Sequence, residues 1–115
     1  MKFVFKEADD WDFERAGVRG KVFPTFDLIS SANFLLIETE SGHSTTIVEE
    51  ECDFTYYILD GSGMFKIDDQ LFPAESGDIV VIPKGSAFSY DGKLRMFLIS
   101  SPLWSEEQEL SLIHI

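Results

Sequence analysis

The sequence is short of the residues that build disulfides, zinc sites and nucleic-acid interfaces. It holds one cysteine, Cys52, and two histidines, His43 and His114. A single cysteine cannot close an intrachain disulfide, and no second Cys or metal-spaced His stands beside it, so a reducing compartment is expected. Basic residues are scarce: nine Lys and Arg against 21 Asp and Glu give a formal charge of −12. That balance repels phosphate backbones and anionic headgroups, which argues against nucleic acid or membrane partners. No apolar run approaches membrane-spanning length, and the opening MKFVFKEADDWDFE turns acidic without a stretch of signal-peptide length. A cytoplasmic protein is expected. No helix of ordinary length is written in a 3.6-residue pattern either.

What the sequence has is apolar and aromatic: 44% and 14%, with eleven Phe among 115 residues. That is enough for one core built from rings and too little chain for two domains, so residues 1–115 are read as one domain. Short apolar or alternating runs, separated by turn residues, predict strands over 22–27, 34–40, 45–50, 54–59, 63–67, 70–73, 79–82, 87–90 and 94–100. Asp60-Gly61-Ser62-Gly63, Asp68-Asp69, Lys84-Gly85-Ser86 and Asp91-Gly92 supply the breaks. The fold class is all-β, a sandwich or barrel. Two segments stand apart. Trp11 and Phe13, in the first twenty residues, are candidates to cover the barrel or meet a partner, and the apolar tail 110–115 is expected to close the barrel or contact a second subunit.

Two glycine-anchored motifs over residues 42–102 carry a resemblance. Gly42 and Gly61 stand at the separation of the glycines that end the first motif of the cupin superfamily. Gly77-Asp78-Ile79-Val80-Val81-Ile82-Pro83-Lys84-Gly85 reproduces the glycine and proline frame of the second, and Tyr56-Tyr57-Ile58-Leu59-Asp60-Gly61 resembles the aromatic-Val-Leu-Glu-Gly segment between them. The chain thus resembles a small cupin, which implies a double-stranded β-helix, or jelly-roll, barrel. The run from Ile82 to Ser86, with Leu103-Trp104, is similar to cupins of the ethanolamine-utilization and sugar-isomerase-like types.

The resemblance also shows a departure. Val48, Glu50, Phe54 and Phe88 fall where cupins carry their metal ligands, and Val and Phe offer no donor atoms, so no metal and no cofactor are expected. His43 directly follows the turn glycine and is read as a surface or rim residue. Strand alternation instead points Thr46, Val48, Glu50, Phe54, Tyr56, Phe88 and Tyr90 into the barrel as an apolar pocket with a few polar groups. Such a mixture suits a small-molecule ligand. The function expected is metal-independent binding of a small metabolite, a sugar derivative or organic acid. One alternative is isomerase, epimerase or acyl-phosphate chemistry with Glu50 or a tyrosine as acid or base; another is a structural or regulatory dimerisation module. Catalytic residues are not assigned, a non-enzymatic role is favoured, and a homodimer is the default assembly. Lys93 and Arg95 are further candidates, to clamp an anion.

Overall fold

The computed structural model describes residues 2–102, which form nine β-strands and no helix. They are β1 (Phe13–Arg15), β2 (Val18–Phe23), β3 (Asn33–Thr39), β4 (Gly42–Val48) and β5 (Asp53–Ile67). β6 (Gln70–Glu75), β7 (Ile79–Ile82), β8 (Ala87–Asp91) and β9 (Leu94–Ser101) follow. All pairings are antiparallel. One sheet runs β1-β2-β3-β9-β5-β7 and the other β6-β5-β8-β4, so β5 belongs to both. The two curl into a barrel whose interior is the core.

Asp60-Gly61-Ser62-Gly63, expected to break the chain, lies inside the 15-residue β5. The glycines serve close approach, not a turn. A Cβ on Gly61 would stand 2.0 Å from the Lys93 carbonyl oxygen, and one on Gly63 equally near that of Asp91. β5 can pass from one sheet to the other there because those positions carry no side chain, and the register with β9 shifts between Ile58 and Asp60. The first predicted strand also starts earlier than expected, at Val18, and pairs with the unforeseen β1.

Inside the barrel, Phe54, Tyr56, Phe65, Phe88 and Tyr90 form one ring cluster. Phe65 and Tyr90 centroids lie 5.0 Å apart, and Phe54 meets Phe88 edge-on at 6.0 Å and 85°. Tilted and edge-on pairs satisfy the ring quadrupoles and contribute about 0.5–1.5 kcal/mol each beyond burial. Phe65, Ile58 and Met96 are wholly buried.

The outer face of the larger sheet is unusual for a barrel in water, because its cross-strand rows are apolar as well. One row runs Lys21–Leu36–Phe97–Tyr57–Ile79 and the next Phe23–Phe34–Ile99–Thr55–Val81. The N-terminal segment covers one side of this face. Lys21 Nζ donates to Glu7 at 2.9 Å and to the Ala8 carbonyl at 2.6 Å, and Arg95 donates to Glu7 at 3.2 Å. The Trp11 ring lies against the Arg19 and Lys21 cations, 4.3 and 4.6 Å from its centroid. Lys21 and Leu36 are buried as a result. The expectation that Trp11 covers the barrel is met on its outside wall, while Phe13 faces its interior.

Candidate functional site

The site is built where β4 departs from regular pairing. His43 pairs with Tyr90 and Ile47 with Phe88, so residues 44–46 of β4 oppose Ser89 alone. The bulge curls the Thr45 carbonyl back to the His43 ring, 2.8 Å from Nδ1. A carbonyl only accepts, so this short contact puts the proton on Nδ1 and leaves the lone pair on Nε2; the Thr45 N–H, 3.3 Å from the same nitrogen, is the weaker competitor. The turn between β1 and β2 packs on the same bulge. Ser44 N–H donates to the Ala16 carbonyl at 2.7 Å, and Thr39 Oγ1 donates to the Gly17 carbonyl while accepting from Gly42 N–H. These bonds hold β1 opposite His43 across the barrel mouth.

Between the sheets a cavity of about 30 Å³ lies within a funnel of about 350 Å³ that opens to solvent. Its floor and one wall are Ile47, Leu98, Phe54, Tyr56 and Tyr90; His43 enters from β4, and Phe13 and Arg15 from β1. The enclosed part has room for roughly two waters. Tyr90 stands edge-on to His43 with centroids 6.0 Å apart, and Tyr56 to Tyr90 at 5.8 Å. The Arg15 guanidinium lies 5.1 Å over the Phe13 ring. A basic nitrogen, two phenols and a guanidinium thus meet in an apolar mouth, a set able to move a proton and hold an oxygen.

The structure changes the expected residue set. Phe54, Tyr56 and Tyr90 line the pocket. Thr46 and Glu50 are exposed and Val48 is half-buried on the other face of β4. Counting alternation from the cupin frame put the even-numbered positions inside, whereas the odd-numbered His43 and Ile47 point inward. Phe88 is buried in the ring cluster beneath the pocket and does not line it. His43, read as a rim residue, is 5% exposed. The apolar Ile47, flanked by Thr46 and followed by the buried Glu49, is the sequence signal for that parity. Arg95 sits on the outer face in ion pairs with Glu7 and Glu38, and Lys93 lies at the surface 3.8 Å from Glu40, so neither reaches the pocket. Leu103, Trp104, His114 and the tail 110–115 lie outside the described residues.

Comparison with solved structures decides the architecture. The chain superposes on Streptomyces Pac13, a nucleoside dehydratase, with TM-score 0.85 and 24% identity over 95% of this chain and 89% of that one. It superposes on the cupin domain of Schizosaccharomyces pombe Cnp3 with TM-score 0.67 and 13% identity, covering 76% of this chain and 66% of that one. The chain has the cupin fold. The finer resemblance is also found: the Clostridium difficile EutQ protein matches at TM-score 0.67 and 25% identity, over 82% of this chain and 69% of that one. No family model and no curated protein matches this chain by sequence.

Pac13 has been solved with uridine in three variants, one replacing a histidine by glutamine and two replacing a tyrosine by phenylalanine. Those positions follow one another at separations of 13 and 34 residues. His43, Tyr56 and Tyr90 are separated in the same way in this chain. Many cupins hold a metal through several imidazole and carboxylate donors. Among the described residues no three His, Cys, Asp or Glu side chains are grouped to hold one. Among the described lining residues His43 is the one imidazole and none is a carboxylate, so this described donor set does not fit a resident divalent ion.

Proposed function

We propose that this cupin binds a small organic ligand of the nucleoside class in the His43 pocket and catalyses elimination of water from it without a metal. The convergence of His43, Tyr56 and Tyr90 on one cavity, at the separations of the three substituted positions of Pac13, carries this reading. It moves the function from binding alone to acid–base chemistry and replaces Glu50 by His43 as the base.

An imidazole removes a proton from carbon only where a neighbouring carbonyl acidifies the C–H bond. The substrate is therefore an oxidised nucleoside with a carbonyl beside that carbon and a hydroxyl one carbon further on. His43 Nε2 takes the proton, the C–H electron pair becomes the carbon–carbon double bond, and the C–O bond breaks. The departing hydroxide leaves as water with a proton donated by a tyrosine hydroxyl or by the imidazolium. Phe13 offers the ligand a ring face, and the cavity's limited room requires the edge strand β1 to shift outward on binding. Cys52, a buried cysteine, supports the cytoplasmic assignment.

The test is two-part. Uridine is titrated into the protein by NMR, and nucleoside aldehydes and ketones are incubated with it and followed by mass spectrometry for loss of one water. Binding by wild type, with turnover lost in His43→Gln, is the expected result. Wild-type turnover undiminished in His43→Gln would overturn the assignment of the base, and no uridine-dependent shift at Tyr56 or Tyr90 would overturn the ligand class.

A further inference from the structure

The barrel stands open along the side where β6 and β7 lie. Among the described residues both strands pair only with β5, so each is an edge strand, the kind that proteins shield with charge, proline or a covering segment. β7 holds neither charge nor proline from Ile79 to Ile82. Phe72 of β6 pairs with the wholly buried Phe65 and so shares its inward face, yet it is 46% exposed. Between the two strands runs a groove of about 440 Å³, lined by Ile67, Phe72, Pro73, Val80 and Val81 among others. It shares no described lining residue with the His43 pocket.

We propose that residues 110–115 of this chain occupy the groove as a strand antiparallel to β7. Direction favours that occupant. β7 and β9 both run antiparallel to β5, and Ser101 pairs with Asp53 as Ile82 does with Phe54. The chain therefore leaves β9 at the end of the sheet where β7 also stops, and a segment that turns back there runs antiparallel to β7. Reach agrees. From β9 to the free side of β7 is three strand spacings, about 14 Å, and residues 103–109 span about 23 Å when extended. The six residues that remain are enough to cover the four of β7. Composition agrees as well: in a strand Leu110 and Leu112 fall on one side, Ile113 and Ile115 on the other. A segment apolar on both sides fits a position where one side fills the groove and the other extends the Tyr57–Ile79 row. Glu106, Glu107 and Glu109 belong to the crossing stretch, and the exposed Lys84, just past β7, offers them a cation on its path. A short tether also supplies an effective concentration of about a millimolar, an advantage no separate partner has.

The experiment is NMR on the full chain: nuclear Overhauser contacts to the Phe72 ring and Val80 methyls, and amide exchange over Ile79–Ile82 in wild type and in Leu112→Pro. Proline removes the donor that strand pairing needs and leaves the described barrel unaltered in sequence. The expected result is contacts from the methyl groups of residues 110–115 to Phe72 and Val80. Exchange over Ile79–Ile82 should be at least about 10-fold faster in Leu112→Pro, with Met96 and Leu98 unchanged as the sign of a folded variant. Wild-type protein without those contacts overturns the proposal, whatever the variant does. Contacts seen only between differently labelled copies in a mixed sample overturn it too, because the occupant would then come from another chain. Unaltered exchange over Ile79–Ile82 in Leu112→Pro would rule out the strand pairing.

Discussion

Gly42 is where the barrel's closure and its chemistry share one atom's worth of space. Its φ is +105°, and a Cβ there would stand 2.1 Å from the Tyr90 carbonyl oxygen and 2.4 Å from Asp91 Cα. Gly42→Ala therefore adds a methyl group to a backbone that side chains avoid and drives it into the strand carrying Tyr90. The left-handed conformation costs about 1–2 kcal/mol and the forced separation of backbones about 1–3 kcal/mol, while the stiffer unfolded chain returns about 0.4–1 kcal/mol. The net loss is about 1–5 kcal/mol, or a fall in Tm of about 4–20 °C for a domain of this size. Gly77→Ala is the matched control. Its φ is +95° but nothing lies within 4 Å of a Cβ, so strain acts alone and the loss is about 1 kcal/mol or less. Thermal and urea unfolding by circular dichroism measure both, with the urea slope reporting whether the two-state comparison holds. Equal losses in the two variants would refute the argument, since they would mean that β4 and β8 part at no cost.

Three further outcomes follow from the same structure. Phe88→Ala, in the ring cluster at 1% exposure, should cost about 3–5 kcal/mol against less than about 1 kcal/mol for the half-buried Val48→Ala, and equal urea midpoints would contradict the core assignment. The Lys21 hydrogen bond, with the Lys21 and Arg95 charges, lowers the Glu7 pKa below 4.5 against the opposing effect of desolvation. Its contribution is thus present above pH 4.5 and lost as pH falls through the lower folded value; the Trp11 indole NMR signal should move in that acid window and not in Glu7→Gln. Desolvation raises the Cys52 thiol pKa, with Glu49, Glu51 and Asp53 adding to it and a Ser100 hydrogen bond opposing. Maleimide labelling at pH 8 should then be about 100-fold slower than in the urea-unfolded chain, and equal rates would remove the buried-thiol account.

Much of the architecture was legible in the sequence, for reasons tied to particular residues. Ile79–Ile82, framed by Gly77 and Pro83, is a strand in both readings because its boundaries are set by local turn chemistry. Phe54, Tyr56 and Tyr90 were placed in the interior because β5 and β8 alternate regularly there. His43 was not, because inward positions on β4 follow from the bulge over residues 44–46, a property of its pairing with β8. Gly61 and Gly63 misled in the opposite direction: glycine reads as a break, yet here it answers carbonyls contributed from thirty residues downstream. Phe13 and Arg15 were missed as site residues because three residues of strand leave too short a pattern to read.

The shared strand β5 bears on how the molecule comes apart. Its first half is hydrogen-bonded to β9 and β7 and its second to β8 and β6, so neither sheet can fray without disturbing a strand on which the other depends. Partial opening is thus left to strands paired on one side only, and among these β1, with three paired positions, and the segment before it are the least held. Amides of Tyr56, Ile58 and Phe65 should exchange with deuterium only through global unfolding, while those of β1 exchange far sooner. A binding site whose floor is anchored to the least yielding strand and whose rim belongs to the most yielding one can admit a ligand by local loosening, with its reacting groups held still throughout.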